Sequence, residues 1–370
     1  METPPHSSLA QRLSWPRLNI PASEATVDVR VIDTKTELRI DPKLFLQAQS
    51  NVQVQAFDAP IYCFLITHGS RNVLFDLGVR TDWENYAPRI VSLIKATTTI
   101  KVGADVAKVL DGDTSDLQVR AKDVEAIIWS HNHFDHIGDP STFPPSTDLI
   151  VGPGLRDASW PGWPTLGQAG VRDSDAAGRT VREVSFDGDG AVTVGRFAGF
   201  DCFGDGSFYL LDAPGHAPGH MCGLARVRAS PEPAFVLMGA DACHHPGVLR
   251  PSSHLPLPPS ITIPPGLGCC PGDLFQHLTL SGNTDKSFFT LPRNMLFPDH
   301  DAALETVRKI QELDANDEVF VIIAHDVSIR DTLPLFPKSV NDWRKEGLKK
   351  TTRWWFCGGI EKQDESFNGT

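Results

Sequence analysis

Ser130–His136, which reads SHNHFDH, directly follows Glu125–Trp129 (EAIIW), a short apolar run typical of a buried strand. The stretch places four side chains that can bind a metal within six positions: His131, His133, Asp135 and His136. Each would cost free energy if it were buried without a partner, and a divalent cation satisfies all of them together. The chain has 13 histidines in 370 residues, so a solvated loop that is rich in histidine by chance is a poor alternative. The stretch therefore predicts a metal site, suited to zinc and, less selectively, to iron or manganese.

Other segments of the chain repeat this arrangement, an apolar run that ends in a residue able to bind a metal. Strand-like runs precede a turn with two histidines at Ala213–His220, an aspartate at Asp241 and a histidine at His325. An earlier run, Asn72–Phe75, is followed by Asp76. The sequence therefore predicts that ligands from several strand ends meet in one metal centre.

The motifs FDLG, SHNHFDH, APGHAPGH, GAD and IAHD, in this order, closely resemble those of the metallo-β-lactamase superfamily over residues 26–330. The resemblance implies an α/β fold, the αββα sandwich of two mixed β-sheets flanked by helices, with the metals at one edge. The IAHD segment is most similar to lactonases that open acyl-homoserine lactone rings. The long proline-rich stretch after Asp241 is more similar to fungal members, which include ring-opening lactamases and lactonases.

The same resemblance, carried over position by position, implies two zinc ions, with other divalent transition metals as alternatives. One ion would be held by His131, His133 and His216, the second by Asp135, His136 and His325, with Asp241 bridging both. Every one of these positions carries a residue that can bind a metal, which argues against a metal-free relative. The resemblance also implies that Asp76 orients the ligand loop from behind and is not itself a ligand.

The chemistry expected of such a centre is hydrolysis. Two cations about 3.5–4 Å apart lower the pKa of a bridging water towards about 7 and polarise a substrate carbonyl. The metal-bound hydroxide would attack that carbonyl, and Asp135 is the best candidate to carry the proton to the leaving group. The sequence has no G-x-S-x-G motif for a serine nucleophile. We therefore predict a metal-dependent hydrolase that opens a cyclic ester or cyclic amide, a lactone or lactam, of a small molecule.

Functions of other classes stay open at this stage. A thioesterase that releases an acyl chain from a carrier protein or coenzyme A would use the same centre. An iron redox enzyme fits less well, because the flavodiiron pattern has glutamate where His133 stands and no flavodoxin-like segment follows. A metal scaffold without catalysis fits least, because all the ligand positions are filled.

Composition and charge favour a soluble enzyme with a small-molecule substrate. A net charge of −12 and a pI near 5.5 argue against nucleic acid or an anionic membrane surface as partners. No apolar run approaches the roughly 18 to 20 residues of a transmembrane helix, and the first residues lack the apolar centre of a signal peptide. Seven scattered cysteines without a CxxC pair are expected to be free thiols. These features predict a cytoplasmic protein.

Local patterns also predict elements away from the metal motifs. Residues 61–67 and 72–77 predict a hairpin, because two strand-like runs flank a short turn that contains glycine. Asp299–Ile310 carries its apolar residues on one helical face and predicts a helix that Asp299 caps. Strand and helix patterns alternate on both sides of the metal motifs, which favours one sandwich over two domains.

We therefore predict an N-terminal arm, residues 1–24, and one domain, residues 25–370, that includes a proline-rich insert and a C-terminal helical extension. The insert spans residues 250–298, and seven prolines between positions 251 and 271 exclude a helix or a central strand from its first half. Because the insert leaves directly from the Asp241 segment, we expect it to form a wall of the substrate pocket. A structural wrap or a homodimer contact is the alternative.

Several residues near the predicted ligands have competing interpretations. His220 lies in a Pro-Gly turn and is expected to hydrogen-bond to a ligand instead of binding a metal. Cys243 is expected to be a small packing residue. His244 stands where the similar lactonases have a tyrosine that touches the substrate carbonyl. His244 or His245 could take over that contact, and a surface role is the alternative.

Overall fold

Two six-stranded β-sheets hold most of the buried strands of the chain. The computed structural model describes residues 18–50, 52–54, 56–264 and 268–362, so most of the predicted arm, residues 1–17, lies outside the described residues. In chain order the strands are β1 (Asp28–Asp33), β2 (Glu37–Ile40), β3 (Val52–Val54), β4 (Asp58–Ala59), β5 (Tyr62–His68), β6 (Arg71–Phe75), β7 (Thr98–Lys101), β8 (Ala126–Ile128), β9 (Asp148–Val151), β10 (Val181–Glu183), β11 (Ala191–Val194), β12 (Phe197–Asp201), β13 (Phe208–Asp212), β14 (Met221–Arg228), β15 (Ala234–Ala240), β16 (Ser260–Thr262), β17 (Cys269–Pro271), β18 (Val319–Ile323) and β19 (Ile360–Lys362).

The helices of the described residues are mostly short and lie between these strands. In chain order they are α1 (Pro88–Thr97), α2 (Val106–Asp111), α3 (Phe134–Ile137), α4 (Leu155–Ser159), α5 (Asp173–Ala176), α6 (Asp273–Gln276), α7 (His300–Ala315) and α8 (Leu348–Thr352). None of them is long and apolar enough to cross a membrane.

Both large sheets are mixed. The first has the strand order β1-β5-β6-β8-β9-β10, in which the pairs from β6 to β10 are parallel and the others antiparallel. The second has the order β11-β12-β13-β14-β15-β18, and its pair β15-β18 is parallel. The predicted hairpin is confirmed as the antiparallel pair β5 and β6.

Strand β5 illustrates how the layers are built, because both faces of its first five residues, Tyr62–Ile66, are buried and their sequence is an unbroken apolar run. Phe64 packs in one cluster with Leu210 of the second sheet, so the two sheets lie face to face. Leu65, on the opposite face, packs in another cluster with Ile94 of α1. The outer face of the second sheet is covered by α7 in the same way. These layers are the αββα sandwich, so the predicted fold is confirmed.

Helix α7 covers the second sheet and begins where the sequence predicted. The side chain of Asp299 accepts a hydrogen bond from the Ala302 N–H at 3.0 Å and caps the helix. Such a cap stabilises a helix by about 1 kcal/mol. The buried side chains Val307 and Ile310 form the face that packs on the sheet.

The ends of four strands meet at one edge of the sandwich. β6 and β8 are parallel neighbours in the first sheet, as are β15 and β18 in the second, so each pair ends on the same side. Two backbone hydrogen bonds join the sheets at this edge: Met221 N–H donates to Ser130 O at 2.8 Å, and Tyr62 N–H donates to Ala324 O at 3.1 Å. The residues that follow these strands are therefore held close together.

The first half of the proline-rich insert packs into the core. Four apolar side chains of this segment are buried in the cluster that α7 covers: Leu255, Leu257, Ile261 and Ile263. Regular structure is limited to the small antiparallel pair β16 and β17 and the single turn of α6, as the prolines predict. Residues 265–267 lie outside the described part of the chain.

The C-terminal segment is built mainly of short helices. Beside α8 it has 3₁₀ helices at Asn341–Trp343 and Trp355–Gly359, and it ends in the strand β19, which pairs with β3. Trp343, Trp354 and Trp355 are buried in this segment.

Candidate metal centre

Seven side chains from the strand ends form two groups whose ligand atoms lie within 4.8 Å of one another. Within the described residues, the first group is His131, His133, His216 and Asp241, and the second is Asp135, His136, Asp241 and His325. All are buried except His133, which is partly exposed. The structure thus brings together every ligand position predicted from the sequence.

The motif SHNHFDH contributes to both groups because the backbone changes conformation within it. His131 lies in the bend that follows β8, and His133, whose backbone is extended, is the N-cap of α3. Asp135 and His136 lie in the single turn of α3 and point towards the second group. The indole N–H of Trp129 donates to Ile137 O at 3.1 Å and closes the loop.

Asp241 lies between the two groups. Its Oδ1 is 3.2 Å from His136 Nε2 and 3.1 Å from His325 Nε2. Its Oδ2 is 3.7 Å from His131 Nε2 and 3.5 Å from His216 Nε2. Because each carboxylate oxygen faces one group, Asp241 has the geometry of a bridging ligand.

Unpaired buried atoms test whether these residues fit a metal. His131 Nε2, His136 Nε2 and Asp241 Oδ1 are buried and have no hydrogen-bond partner among the described residues. A buried polar atom without a partner costs about 1–3 kcal/mol. Divalent cations would satisfy all of them, and imidazole with carboxylate is a donor set that zinc prefers. The residues therefore fit a pair of divalent cations.

The protonation of the imidazoles agrees with this fit. Burial and the neighbouring imidazoles hold the pKa of His131 and of His216 well below the usual range, so both rings are neutral, as ligands must be. Burial also acts against a charge on His136, but the carboxylates of Asp241 and Asp76 raise its pKa well above the usual range. The carboxylates of Asp76 and Asp241 therefore favour a positive charge at this position, which a bound cation would supply.

Asp76 supports the ligand loop from behind, as predicted. Its carboxylate accepts hydrogen bonds from the Ser130 N–H at 2.7 Å, from Ser130 Oγ at 2.8 Å and from His136 Nδ1 at 2.7 Å. Because the Nδ1–H of His136 is used in this bond, Nε2 is left as the nitrogen that faces the second group. Asp76 has a positive φ of 62°. This backbone conformation is strained for a residue with a side chain, and such strain is common at functional sites.

Two further histidines are fixed by backbone hydrogen bonds. His325 donates from Nδ1 to Pro60 O at 2.9 Å, which leaves Nε2 for the second group. His220 donates from Nδ1 to Ala213 O at 2.8 Å and accepts the Asp241 N–H on Nε2 at 3.2 Å. Both nitrogens of His220 are thus occupied, and its predicted role as a hydrogen-bonding partner of a ligand is confirmed.

The residues that follow Asp241 are buried, which excludes the surface role left open for His244 and His245. Cys243 is buried in apolar surroundings that raise the pKa of its thiol, so it is a packing residue, as expected. His244 and His245 are both buried, so the surface role left open for them is wrong. His245 accepts the Gly247 N–H and packs against Phe289. His244 contacts Asp241 directly, with its Nε2 3.1 Å from Oδ2.

A cleft of about 250 Å³ opens onto the two groups. Its walls are mainly apolar and consist of Leu38, Ile40, Leu44, Phe45, Leu46, Phe57, Ile90, Leu93, Met295 and Leu296. Four of the predicted ligands also line it: His133, Asp135, Asp241 and His325. No lysine or arginine lines the cleft among the described residues. The cleft can therefore hold a neutral apolar molecule against the ligand groups.

The cleft wall differs from the one predicted. Within the insert, only Asn294–Leu296 contributes to it in the described residues, whereas the first half of the insert lies in the core. Most of the wall comes from the segment 38–46 and from α1, which sequence reasoning did not assign to the site. The apolar residues of the segment 38–46 are the sequence signal that could have indicated this wall, but their spacing shows no clear helical or strand period.

Comparisons with known proteins agree with the predicted fold and with a metallo-hydrolase. A model of the metallo-β-lactamase superfamily matches residues 57–227. The chain is 60% identical, over 92% of its length and 89% of the relative's, to the metallo-hydrolase mfmC of Annulohypoxylon moriforme. It is 42% identical, over 95% of its length and 86% of the relative's, to the γ-lactamase FDB1 of Fusarium pseudograminearum.

A solved structure shares the fold at low sequence identity. It is an N-acyl homoserine lactone hydrolase with N-hexanoyl-L-homoserine bound at its catalytic metal centre. The TM-score is 0.55 at 16% identity, over 85% of this chain and 99% of the other. The motifs, the sandwich and the relatives lead to one conclusion: the chain belongs to the metallo-β-lactamase superfamily and is a metallo-hydrolase.

Proposed function

We propose that the chain holds two divalent metal ions, zinc being the first candidate, and opens a cyclic ester or cyclic amide of a neutral, apolar small molecule. The observation that carries the proposal is the position of Asp241, between two ligand groups at an apolar cleft. The γ-lactamase relative supports a ring substrate.

The chain's own residues have separate tasks in this proposal. His131, His133 and His216 would hold one ion, Asp135, His136 and His325 the other, and Asp241 both. Bound there, the two cations would lower the pKa of a shared water and polarise the carbonyl that is attacked. Asp135 lines the cleft, 3.5 Å from His325 Nε2, and is placed to carry a proton to the leaving oxygen or nitrogen. The apolar walls would exclude bulk water and bind the rest of the substrate.

The charge of the cleft favours a ring substrate over an acyl thioester. Coenzyme A and the prosthetic arm of carrier proteins bear phosphate groups, which proteins usually bind with arginine or lysine. The described residues that line the cleft include neither. A neutral lactone or lactam needs no such cation.

The proposal is tested by measuring kcat/KM of the zinc-loaded protein for matched lactones, lactams and acyl thioesters. We expect a ring substrate to be hydrolysed at least about tenfold more efficiently than the thioesters, which corresponds to about 1.4 kcal/mol of differential transition-state binding. Asp135→Asn is the low-activity reference: it keeps the shape of the side chain but removes both the proposed proton carrier and a carboxylate ligand of the second group, so hydrolysis that survives in it does not come from this site. Thioesters hydrolysed as well as or better than every ring substrate would contradict the proposal and favour a thioesterase.

A further inference from the structure

A fifth imidazole, that of His244, lies against the carboxylate of Asp241, although it belongs to neither ligand group. The Nε2 of His244 is 3.1 Å from Asp241 Oδ2, with the geometry of a hydrogen bond. The imidazoles of the first group lie farther from the same oxygen, at 3.7 Å for His131 and 3.5 Å for His216. Because a carboxylate oxygen can only accept, His244 donates from Nε2.

The ring of His244 is held in place on several sides. It stacks on Phe45 with ring centres 4.0 Å apart and an angle of 27° between the planes. The ring of His325 is nearly parallel to it, at 5.6 Å and 8°, and Phe297 packs edge to face at 6.0 Å. The side chain is 8% exposed, so these contacts leave the imidazole little freedom to rotate. The donor is therefore oriented before any metal binds.

The backbone of Asp241 is fixed independently. Its N–H donates to His220 Nε2, and the preceding residue, Ala240, has a positive φ of 42°. This conformation is strained for a residue with a side chain and persists only where the surroundings enforce it. With His220 on its backbone and His244 on its carboxylate, Asp241 is held at both ends by imidazoles that are not in the ligand groups.

A carboxylate oxygen has two lone pairs, so Oδ2 can accept the N–H of His244 and still face the first group. The bond then restricts rotation of the carboxylate and keeps Oδ1 towards His136 and His325. Without it, the carboxylate would have to be ordered at the moment of metal binding, at a cost in free energy. Hydrogen bonds of this kind to a ligating carboxylate are typically worth 10–100-fold in metal affinity.

We propose that His244 is a positioning residue for Asp241, whose hydrogen bond keeps one carboxylate oxygen on each ligand group so that the two metal ions bind together. The inference rests on the proposed two-metal function. It concerns the binding of metal and not the choice of substrate, so it can be tested without knowing the substrate.

Two substitutions separate the hydrogen bond from the packing. His244→Gln keeps an N–H donor close to the position of Nε2, whereas His244→Phe keeps an aromatic ring for the stack on Phe45 and removes the donor. Metal-free full-length protein is titrated with zinc in competition with a chromogenic chelator. The visible absorption of bound cobalt(II) is recorded in parallel, because it reports the geometry around the ions. Thermal unfolding of the metal-free proteins checks that each variant is folded.

We expect His244→Phe to bind the second zinc ion about 10–100-fold more weakly and to change the cobalt(II) spectrum. The affinity of His244→Gln for the second zinc ion should stay within about threefold of that of the unsubstituted protein, a smaller change than the loss expected when the hydrogen-bond partner is missing. If His244→Phe does not fold, His244→Leu serves as the variant without a donor. The proposal is overturned if a folded variant without a donor binds both ions with unchanged affinity. It is also overturned if His244→Gln binds the second zinc ion as weakly as the variant without a donor. Failure of the two-metal function itself would look different, because the unsubstituted protein would then not bind a second ion.

Discussion

Replacing Asp241 with alanine is expected to remove both metal ions and to lower hydrolysis by roughly 10³-fold or more, since several kcal/mol of transition-state stabilisation depend on them. Asp241 is within 3.2 Å of the second group through Oδ1 and within 3.7 Å of the first through Oδ2. Its loss therefore leaves each group with three ligands and no bridge. Metal content is measured after gel filtration, and turnover on whichever ring substrate is found active.

His325→Ala is the matched comparison for this prediction. His325 faces only the second group, and its ring is held by a hydrogen bond to Pro60 O outside the first group. We expect this variant to lose the second ion mainly and to keep the first. An Asp241→Ala protein that retained two ions and near-normal turnover would show that Asp241 does not bridge.

Replacing Asp314 with alanine is expected to destabilise the fold by about 3–5 kcal/mol, a large share of the 5–15 kcal/mol that hold a typical domain together. Asp314 is buried near the end of α7 and accepts two hydrogen bonds from the guanidinium of Arg250, at 2.7 and 2.6 Å. Its removal would leave the buried charge of Arg250 without compensation. The free energy of unfolding is measured by denaturant titration.

A nearby surface pair provides the control for this effect. Asp317 forms an ion pair with Arg353 at 3.0 Å, but its side chain is 59% exposed, so Asp317→Ala should change stability by no more than about 1 kcal/mol. An Asp314→Ala protein as stable as this control would contradict the role of the buried pair. The double replacement Arg250→Met with Asp314→Leu should recover part of the loss, because no unpaired charge remains.

The Asp314 pair also predicts a pH dependence. Burial alone would raise the pKa of this carboxyl, but Arg250 lowers it from 3.8 to about 2. A carboxyl whose pKa is lower in the folded state contributes stability above its unfolded value, and this contribution is lost as pH falls towards 2. The difference in stability between the unsubstituted protein and Asp314→Ala should therefore narrow between pH 4 and pH 2.

The sheets and the ligand positions could be predicted because their signals are local. Each ligand segment is a strand-like run of a few residues with a histidine or aspartate at its end, as in β18 and His325 or β15 and Asp241. The strands are buried on both faces, so their apolar runs are unbroken and easy to recognise. The helix cap at Asp299 is local in the same sense. The order of the motifs along the chain supplied the rest.

The cleft and the stabilising contacts were not predictable because they join distant parts of the chain. Asn294 donates to Leu44 O across 250 residues and fixes the loop at the cleft against the segment 38–46. Apolar residues in a proline-rich segment, such as Ile261, can equally well face a pocket or the core, and the sequence does not distinguish the two. The pairing of Arg250 with Asp314 spans 64 residues and has no local pattern.

The role of His244 depends on both a local signal and a distant contact. Its position three residues after Asp241 was visible in the sequence, but its contact depends on the turn between them and on the distant Phe45. A buried location and a surface location were equally compatible with the pattern. Only the burial and the 3.1 Å contact with Asp241 give the side chain a specific task.

The most direct measurement of the central claim is the metal content of the purified, undenatured protein by elemental analysis, with His133→Ala beside it. We expect close to two transition-metal ions per chain, and preferential loss of one of them when His133 is removed from the first group. Hydrolytically active protein that carries no transition metal would show that hydrolysis does not depend on a metal centre.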